Sequence, residues 1–560
     1  MLSLHLKVKV IGAFIIFVFL TTNSYSSEVL TEAPELNFVP NVSDRNGFVP
    51  PKMDLSHLKG SFPFGDTPTA DLPAQWDWRT SGKVTSVKDQ GSCGACYAFA
   101  ALANIESKML MDGESTYDFS ENNVKECNWY ESSCSGGNYF MVANYLSKNG
   151  TALEADDPYQ DSDGVCNSGV PFQKTLLDFC HITGNIIPTN ADLKNYLYNN
   201  GPLYTTMYAG DGDSWYTEMI TYDGSYTLYY PGTETPNHAV TIVGWDDDLS
   251  HEGGTGGWIV KNSWGSDWGG TCGYGSEKGY FTIAYASASI GMYSGFMDNW
   301  QNYSDNVELT FYDEAGYTTS YGSGSSETCW GMCKFTPSTS TYLKRVEFWT
   351  NDVTTDIDIY IYDDFDGADL SNLLDSELNN SFTEAGYHSV SLDTPLQLSS
   401  GDAVYVAIKF TNETYDWPVS ADDQGSYETG KTYISTDGAT WYDAGANYSV
   451  DIGIRIRTDI TSGVSESFDV PLPDKVSLTQ NFPNPFNAST VISVYLPHVS
   501  RLSLEIYNLA GQQVDIIQQG MLSKGYHDFR WNASEFPSGV YFYKLTSGDY
   551  SITRKMVLLK

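Results

Sequence analysis

The alternation of hydrophobic and polar positions changes along the chain and divides it into three folded regions. From residue 72 to about 296, helical and strand periodicities are mixed, and a helical run begins at Cys96 and stops at Gly113. From 307 to 457 apolar residues recur at every second position, as in residues 357–361 (IDIYI) and 404–410 (VYVAIKF). The same alternation returns from 476 to 560. Period two with Gly, Asn and Asp between the runs predicts antiparallel strands in a sandwich.

Three further segments separate or precede these regions. Lys7 and Lys9 come before an apolar run that is too short to span a bilayer, and small polar residues follow. We therefore predict a signal peptide over residues 1–26 and export to the medium or the cell surface. Residues 27–71 are rich in proline and acidic residues and predict a short pro-segment that is removed near Asp71–Leu72. Residues 458–474 predict a polar linker.

Composition narrows the class of protein. The 560 residues carry 70 acidic and 30 basic side chains, a formal net charge of -40, which excludes a nucleic-acid binder and disfavours anionic membranes. A hydrophobic fraction of 41% and an aromatic fraction of 14% indicate folded, β-rich material. The 9 cysteines are an odd number, so at least one thiol stays free if the others pair.

Residues 89–99 (DQGSCGACYAF) contain the strongest chemical signal in the chain. Glycines allow a tight turn before Cys96, and the helix that follows places this cysteine at a helix N-terminus. There the helix dipole favours the thiolate, the form that attacks a carbonyl carbon. A thiolate nucleophile needs an imidazole, and His238 begins an apolar strand about 140 residues later.

These motifs resemble the papain family of cysteine peptidases over residues 72–300, with Tyr97 where the family more often has Trp. The resemblance implies that Asn262, in the segment 261–265 (KNSWG), orients His238, and that Trp264 shields their hydrogen bond. It also implies that the side-chain amide of Gln90 donates a hydrogen bond to the negatively charged oxygen that forms when the thiolate attacks the carbonyl group. A structural cysteine, a strand-edge histidine and an asparagine turn are the ordinary alternatives for each residue taken singly.

The same resemblance implies a substrate groove and two disulfides. Gly136 and Gly137 would present their backbone to an extended peptide. By position, Tyr139, Thr206 and Ala239 are candidates to line the pocket beside them, with Met292 as a weaker candidate, and Trp264 is a further substrate-binding candidate. An ordinary place in the core is the alternative for each pocket residue. Cys93 would pair with Cys134, and Cys127 with Cys166. Two further pairings, Cys180 with Cys272 and Cys329 with Cys333, are open. We predict no cofactor and no metal site.

The two β regions carry resemblances of their own. Through the segments 330–331 (WG), 346–349 (VEFW) and 360–362 (YIY), residues 301–457 resemble the lectin-like sandwich that follows papain-type domains in some exported bacterial peptidases. A carbohydrate or cell-surface ligand is one alternative for this region, and a structural spacer is the other. Residues 475–560, with 481–487 (NFPNPFN) and 537–543 (PSGVYFY), resemble the Ig-like C-terminal sorting domain of the type IX secretion system. The secretion machinery is thus an expected partner.

Together these observations predict an α+β, two-lobed papain-like peptidase domain followed by two all-β sandwich domains. The predicted function is an exported cysteine endopeptidase that acts on protein or peptide substrates through a thioester on Cys96, with His238 as general base and acid. The alternatives are an adhesion or binding protein that uses the sandwich, and a thiol acyltransferase, since hydrolysis and transfer share the acyl-enzyme.

Overall fold

The computed structural model describes residues 30–35, 45–61, 72–272, 278–460 and most of 477–560, where short gaps remain at 479–480, 482–483, 485, 497–499, 510, 523–524, 535 and 548–549. The predicted signal peptide and residues 461–474 of the predicted linker lie outside this part of the chain. No helix within the described ranges is long and apolar enough to cross a membrane.

The helices begin and end as follows: α1 (Cys96–Met111), α2 (Glu121–Cys127), α3 (Tyr139–Lys148), α4 (Asn190–Asn200), α5 (Ser214–Ile220) and α6 (Ala444–Tyr448). The strands of the first two regions are β1 (Thr31–Glu32), β2 (Gln75–Asp77), β3 (Thr151–Ala152), β4 (Phe172–His181), β5 (Leu203–Met207), β6 (His238–His251), β7 (Gly254–Lys261), β8 (Tyr280–Ala284), β9 (Met292–Asn302), β10 (Val307–Thr310), β11 (Thr319–Gly322), β12 (Thr328–Phe335), β13 (Thr341–Thr350), β14 (Thr355–Phe365), β15 (Leu370–Phe382), β16 (Ala385–Leu398), β17 (Val404–Thr411), β18 (Val419–Asp422), β19 (Thr432–Ser435), β20 (Tyr442–Asp443), β21 (Asp451–Ile452) and β22 (Ile454–Asp459). The C-terminal strands are β23 (Ser477–Leu478), β24 (Ser489–Leu496), β25 (Ser500–Asn508), β26 (Gln513–Leu522), β27 (Gly525–Asn532), β28 (Gly539–Ser547) and β29 (Tyr550–Leu558).

The first region has two lobes with separate hydrophobic cores. One core forms around α1 and α3, and the other lies among β5, β6, β7 and β8 with the helices α4 and α5. Helix α1 is buried along almost its whole length, which explains its run of alanines and large apolar residues. Cys96 is its first residue, as the sequence predicts, and the helix ends at Met111, just before Gly113.

The second region is a β-sandwich that shares a sheet with the first. Strand β16 pairs with β4, and Gly386 lies opposite Cys180 in this register. A Cβ on Gly386 would lie 1.8 Å from the carbonyl oxygen of Phe179, so only glycine allows the two strands to approach. The alternating runs over 357–361 and 404–410 lie in the paired strands β14 and β17, where they fill the sandwich core.

Buried charges reinforce this junction. Arg455 of β22 is fully buried, pairs with Asp313 at 2.6 Å, and donates to Oδ1 of Asn144 in α3 at 2.7 Å. Arg457 pairs with Glu347 at 2.5 Å and donates to the carbonyl oxygen of Ser147. The second region is therefore joined to the helix that follows the glycine pair of the predicted groove.

Two described parts of the N-terminal segment, residues 30–35 and 45–61, pack against the folded regions. Strand β1 adds to the edge of β11 in the sandwich, while residues 45–49 lie across the peptidase domain, and Leu55 and Leu58 are buried in its core. This segment thus contacts both regions.

The C-terminal region is a separate all-β unit. Its two sheets have the orders β23-β24-β27 and β26-β25-β28-β29, and a common apolar core lies between them. This agrees with the predicted Ig-like sandwich.

The cysteines follow the sequence prediction only in part. The disulfides Cys93–Cys134 and Cys127–Cys166 are formed. The two open pairings are not formed in the described part of the chain, where Cys180, Cys272, Cys329 and Cys333 are all buried and belong to neither disulfide. The last two lie four residues apart on β12, about 13 Å along an extended strand, which is too far for a disulfide.

Candidate active site

Cys96 lies at the N-terminus of α1, beneath the N-terminal segment. It is fully buried, and its Sγ accepts two backbone hydrogen bonds, from Ala239 and from Gly47, each at 3.3 Å. Ala239 follows His238 in β6, so this strand brings the backbone of the residue after His238 into contact with the predicted nucleophile. Gly47 belongs to the predicted pro-segment.

His238 and Asn262 form the second part of the site. The Nε2–H of His238 donates to Oδ1 of Asn262 at 2.9 Å, and the indole of Trp264 lies 4.9 Å from the imidazole, centroid to centroid. The other imidazole nitrogen, Nδ1, is buried and has no hydrogen-bond partner among the described residues. Burial lowers the pKa of His238 to about 4. The ring is therefore neutral here, oriented by Asn262, with one nitrogen left for a proton.

The side chain of Gln90 is buried and held by three hydrogen bonds. Its Oε1 accepts from the hydroxyl of Ser263 at 2.6 Å, and its amide donates to the carbonyl oxygens of Cys93 and Arg45 at 2.8 and 2.9 Å. The side-chain amide of Gln90, which the sequence assigns to the oxyanion of the reaction, thus donates here to the carbonyl oxygen of Arg45 in the N-terminal segment.

The predicted groove glycine Gly137 forms main-chain hydrogen bonds with the N-terminal segment. Val49 donates to the carbonyl oxygen of Gly137 at 3.0 Å, and Gly137 donates to that of Gly47 at 2.9 Å, so the two segments pair as parallel strands. A Cβ on Gly136 would lie 2.7 Å from the Gly47 oxygen. The missing side chain is therefore what lets an extended chain lie here.

Phe48 occupies a pocket next to this pairing. It is 1% exposed, its backbone N–H donates to Asn237, and its ring lies 5.3 Å from that of Tyr293. Thr206 and Ala239 pair with each other across β5 and β6, and Thr206 bonds the carbonyl oxygen of Met292. Tyr293 is a pocket residue that the sequence reasoning missed, since nothing in its local pattern marks it.

Tyr139 is placed differently from the other predicted pocket residues. Its ring stacks on Tyr204 at 4.1 Å and packs edge-on against Phe179, and its hydroxyl donates to Asn104. The ring thus lies within the core of the peptidase domain and supports the groove from behind.

The protonation state of Cys96 differs from the expectation for a helix N-terminus. Burial raises its pKa to about 11, although the backbone donors Ala239 and Gly47 act in the opposite direction. Burial raises the free energy of the thiolate by more than the helix dipole and these two hydrogen bonds lower it. The thiol is therefore protonated while residues 45–49 cover it.

The sequence reasoning also missed the segment that fills the site. It identified residues 27–71 as a pro-segment but gave no residue of it a place in the cleft. The motif 46–48 (NGF), a turn-prone pair followed by a large apolar residue, is the local signal in this segment.

A two-lobed α+β domain with a cysteine at a helix N-terminus, an imidazole held by an asparagine and a buried glutamine amide is similar to papain-like cysteine peptidases. Family comparisons agree. Residues 72–299 match the family described as papain family cysteine protease, 311–458 the lectin like domain, and 480–559 the secretion system C-terminal sorting domain. The three sequence resemblances are thereby confirmed.

Curated relatives match the first of these regions. The viral cathepsin of Heliothis zea nuclear polyhedrosis virus is 32% identical over 232 residues, which is 41% of this chain and 57% of the relative. That of Cydia pomonella granulosis virus is 31% identical over 233 residues, covering 40% of this chain and 62% of the relative. The chain thus spans about three-fifths of the length of these relatives.

A solved structure matches the first two regions together. The cysteine protease and lectin-like domains of Cwp84, a surface layer associated protein of Clostridium difficile, superpose with a TM-score of 0.62 at 18% identity, covering 77% of this chain and 98% of that chain. At this identity the likeness establishes the shared fold, including the arrangement of a peptidase domain followed by a sandwich.

Proposed function

We propose that this protein is an exported cysteine endopeptidase, made in a latent form in which residues 45–49 cover Cys96. The observation that carries the proposal is the convergence of the Cys96 thiol, the His238–Asn262 pair and the Gln90 amide at the place where an extended chain pairs with Gly137.

The chemistry follows from these positions. With the cover removed, His238 takes the proton of Cys96 and the thiolate attacks the carbonyl carbon of the scissile peptide bond. The amides of Gln90 and of the Cys96 backbone stabilise the negative oxygen. The C–N bond then breaks as the imidazolium gives its proton to the leaving amine, which leaves a thioester on Cys96. His238 next takes a proton from water, the hydroxide displaces the thiolate, and the carboxylic acid leaves.

The covered state is latent for a geometrical reason. The group of the N-terminal segment that faces Sγ is the N–H of Gly47, and the carbonyl that reaches Gln90 belongs to Arg45, two residues earlier. The hydrogen bonds to the thiol and to the Gln90 amide therefore come from different residues of the segment, whereas a peptide bond about to be cleaved would offer one carbonyl group to both. The segment therefore fills the cleft without offering a bond to cleave.

The test compares the purified full chain, after release of the pro-segment, with its Cys96→Ala variant on a denatured protein and on a short fluorogenic peptide. Cys180→Ala, which removes another free buried thiol, is the matched control. We expect cleavage by the wild type and the control and none by Cys96→Ala. Cleavage that survives Cys96→Ala contradicts the mechanism, and transfer of the acyl group to an added amine in preference to water identifies an acyltransferase.

Export and surface delivery are proposed from the termini. The match of residues 480–559 to a sorting domain supports passage through a type IX machinery, and the surface-layer protein with the same two-domain fold supports a location outside the cell. We expect a chain that stops at residue 460 to remain inside the envelope while the full chain reaches the surface. Equal export of both chains would exclude a sorting role for residues 480–559.

A carbohydrate ligand for residues 301–457 would be detected by glycan-array binding of the processed chain.

A further inference from the structure

The edge of the sandwich that lies beside the peptidase domain is occupied by the chain's own N-terminal segment. Strand β1 pairs antiparallel with β11, with Thr31 opposite Gly322 and Glu32 opposite Tyr321, and Ala33 donates to the carbonyl oxygen of Ser320 at 2.9 Å. Among the described strands, β11 pairs with β1 on one side and with β18 on the other. Loss of the pro-segment would therefore leave an open strand edge.

Side chains make this edge selective. Leu30 is 7% exposed and enters the apolar core of the sandwich, which also contains Tyr321 and Val419. The indole N–H of Trp417 donates to the hydroxyl of Thr31 at 3.1 Å. An extended peptide at this edge thus combines main-chain pairing with one aliphatic anchor, which is the pattern of β-strand addition.

The same N-terminal segment contacts both the edge of β11 and the active-site cleft. About 12 residues separate Ala33, at the edge, from Arg45, at Gln90, so the two sites lie within about 40 Å of each other along an extended chain. Farther on, His57 stacks on Tyr415 at 3.9 Å and donates to the carbonyl oxygen of Asn351, which returns the segment to the same side of the sandwich. A polypeptide long enough to fill the cleft can therefore also reach the edge.

The charges at the edge do not suit the segment that occupies it. Carboxylate oxygens of Glu32, Glu35 and Asp423 all lie within 4.8 Å of one another, and the hydroxyl of Thr319 donates to one oxygen of Glu32. Like charges at this distance repel, so the acidic pair weakens the hold of the segment. Lysine or arginine at the two glutamate positions would instead pair with Asp423.

We propose that, once the pro-segment has left, the edge of β11 with Trp417 and the Leu30 pocket is a second binding site for the polypeptide substrate. It receives an extended stretch in which an aliphatic residue is followed, two and five positions later, by basic residues. The proposal rests on the proposed peptidase function, because it requires that the pro-segment is released and that the protein acts on polypeptides.

The binding test uses the full chain with Cys96→Ala, cut by an added site-specific protease at a site placed between residues 62 and 71 and freed of the released segment. The probes are two labelled peptides, residues 28–36 (EVLTEAPEL) and the same peptide with Glu32→Lys and Glu35→Lys. We expect the lysine peptide to bind about fivefold more tightly at low salt, and Leu30→Asp in either peptide to weaken binding at least tenfold.

Charge reversal at single positions of the protein tests whether the lysine peptide binds at this edge or is attracted to any acidic part of the surface. With Asp423→Lys the acidic peptide should become the tighter ligand, whereas Asp402→Lys, at an exposed position elsewhere on the sandwich, should leave the order unchanged. The proposal is overturned if neither peptide binds, if Leu30→Asp has no effect, or if both reversals change the preference alike.

An activity measurement keeps this proposal distinct from the proposed function. On the processed wild-type chain, the lysine peptide should inhibit cleavage of a denatured protein but not of a short fluorogenic peptide. Equal inhibition of both would place the peptide in the cleft and contradict the second site. A chain that cleaves neither substrate contradicts the peptidase function, while the binding test on Cys96→Ala still decides whether the edge accepts a peptide.

Discussion

The backbone N–H of Gly47 points at the sulfur of Cys96, 3.3 Å away. A residue of the predicted pro-segment is thus a direct neighbour of the predicted nucleophile. The consequences of this contact for latency and for the reactivity of the thiol can be measured.

Gly47→Ala should abolish latency. A Cβ on Gly47 would lie 1.8 Å from the carbonyl oxygen of Gly94, which belongs to the rigid turn before α1, so the segment has to leave the cleft. We expect alkylation of Cys96 by iodoacetamide in the unprocessed chain to accelerate at least tenfold. Gly169→Ala is the control, because its nearest neighbour would be 3.9 Å away. Unchanged alkylation in Gly47→Ala contradicts the assigned position of the segment.

The pH dependence of alkylation should change when the pro-segment is released. In the covered chain, burial raises the pKa of Cys96 to about 11, so the thiolate and its reaction with iodoacetamide appear only as the pH approaches 11. Release of the segment lets water reach the sulfur and leaves the helix N-terminus and His238 beside it, which should move the profile to lower pH. Rates measured from pH 5 to 11 on both forms test this. Superimposable profiles would show that the cover does not set the pKa.

Gln90→Ala should lower kcat/KM of the processed enzyme by about 10² to 10³, the usual cost of losing one oxyanion donor, with most of the loss in kcat. Gln75→Ala removes an amide of an exposed residue that donates to Asp246, and it should leave both constants unchanged. A loss confined to KM would assign Gln90 to substrate binding.

Acid should destabilise the covered chain. Burial lowers the pKa of His238 to about 4 and that of His181 to about 3, from an ordinary value of 6.5. The unfolded chain therefore binds more protons than the folded one below pH 6.5, and stability falls as the pH drops toward 4, by about 3 kcal/mol for His238 alone. Thermal unfolding between pH 7 and 4 measures this.

His181→Phe should reduce the acid sensitivity. His181 lies between Phe140 and Phe179, and neither ring nitrogen has a hydrogen-bond partner in the described structure, so phenylalanine suits its surroundings. His251→Phe, at a half-exposed position, is the control. An equal acid shift in the wild type and in His181→Phe would exclude this histidine as a cause.

Arg455→Met should destabilise the peptidase domain and the sandwich together by about 3–5 kcal/mol, because it leaves the buried carboxylate of Asp313 unpaired. Lys409→Met breaks a partly exposed pair with Asp358 at 4.0 Å and should cost less than about 1 kcal/mol. Calorimetry should show one shared transition for the two regions. Separate transitions would contradict the shared sheet as a cooperative unit.

Local patterns predicted much of the fold and of the site. The helix starting at Cys96, the strand starting at His238 and the alternating strands β14 and β17 lie where their periodicities place them. Cys93–Cys134 and Cys127–Cys166 followed from the family resemblance. The pairing of Cys329 with Cys333 failed because spacing in sequence ignores the rise of a strand.

The sequence by itself therefore determined the three regions, the chemical groups and their order along the chain, because periodicity, turn residues and motif spacing are local properties. Only the tertiary structure decided that Gly47 faces Cys96, that Phe48 lies beside Tyr293, and that β4 and β16 join two regions in one sheet. These contacts link residues far apart in sequence, and they depend on which strand edge and which cleft remain open after the rest of the chain has packed. The same packing determines the pKa of Cys96, since burial beneath a distant segment outweighs the helix terminus that the sequence reveals.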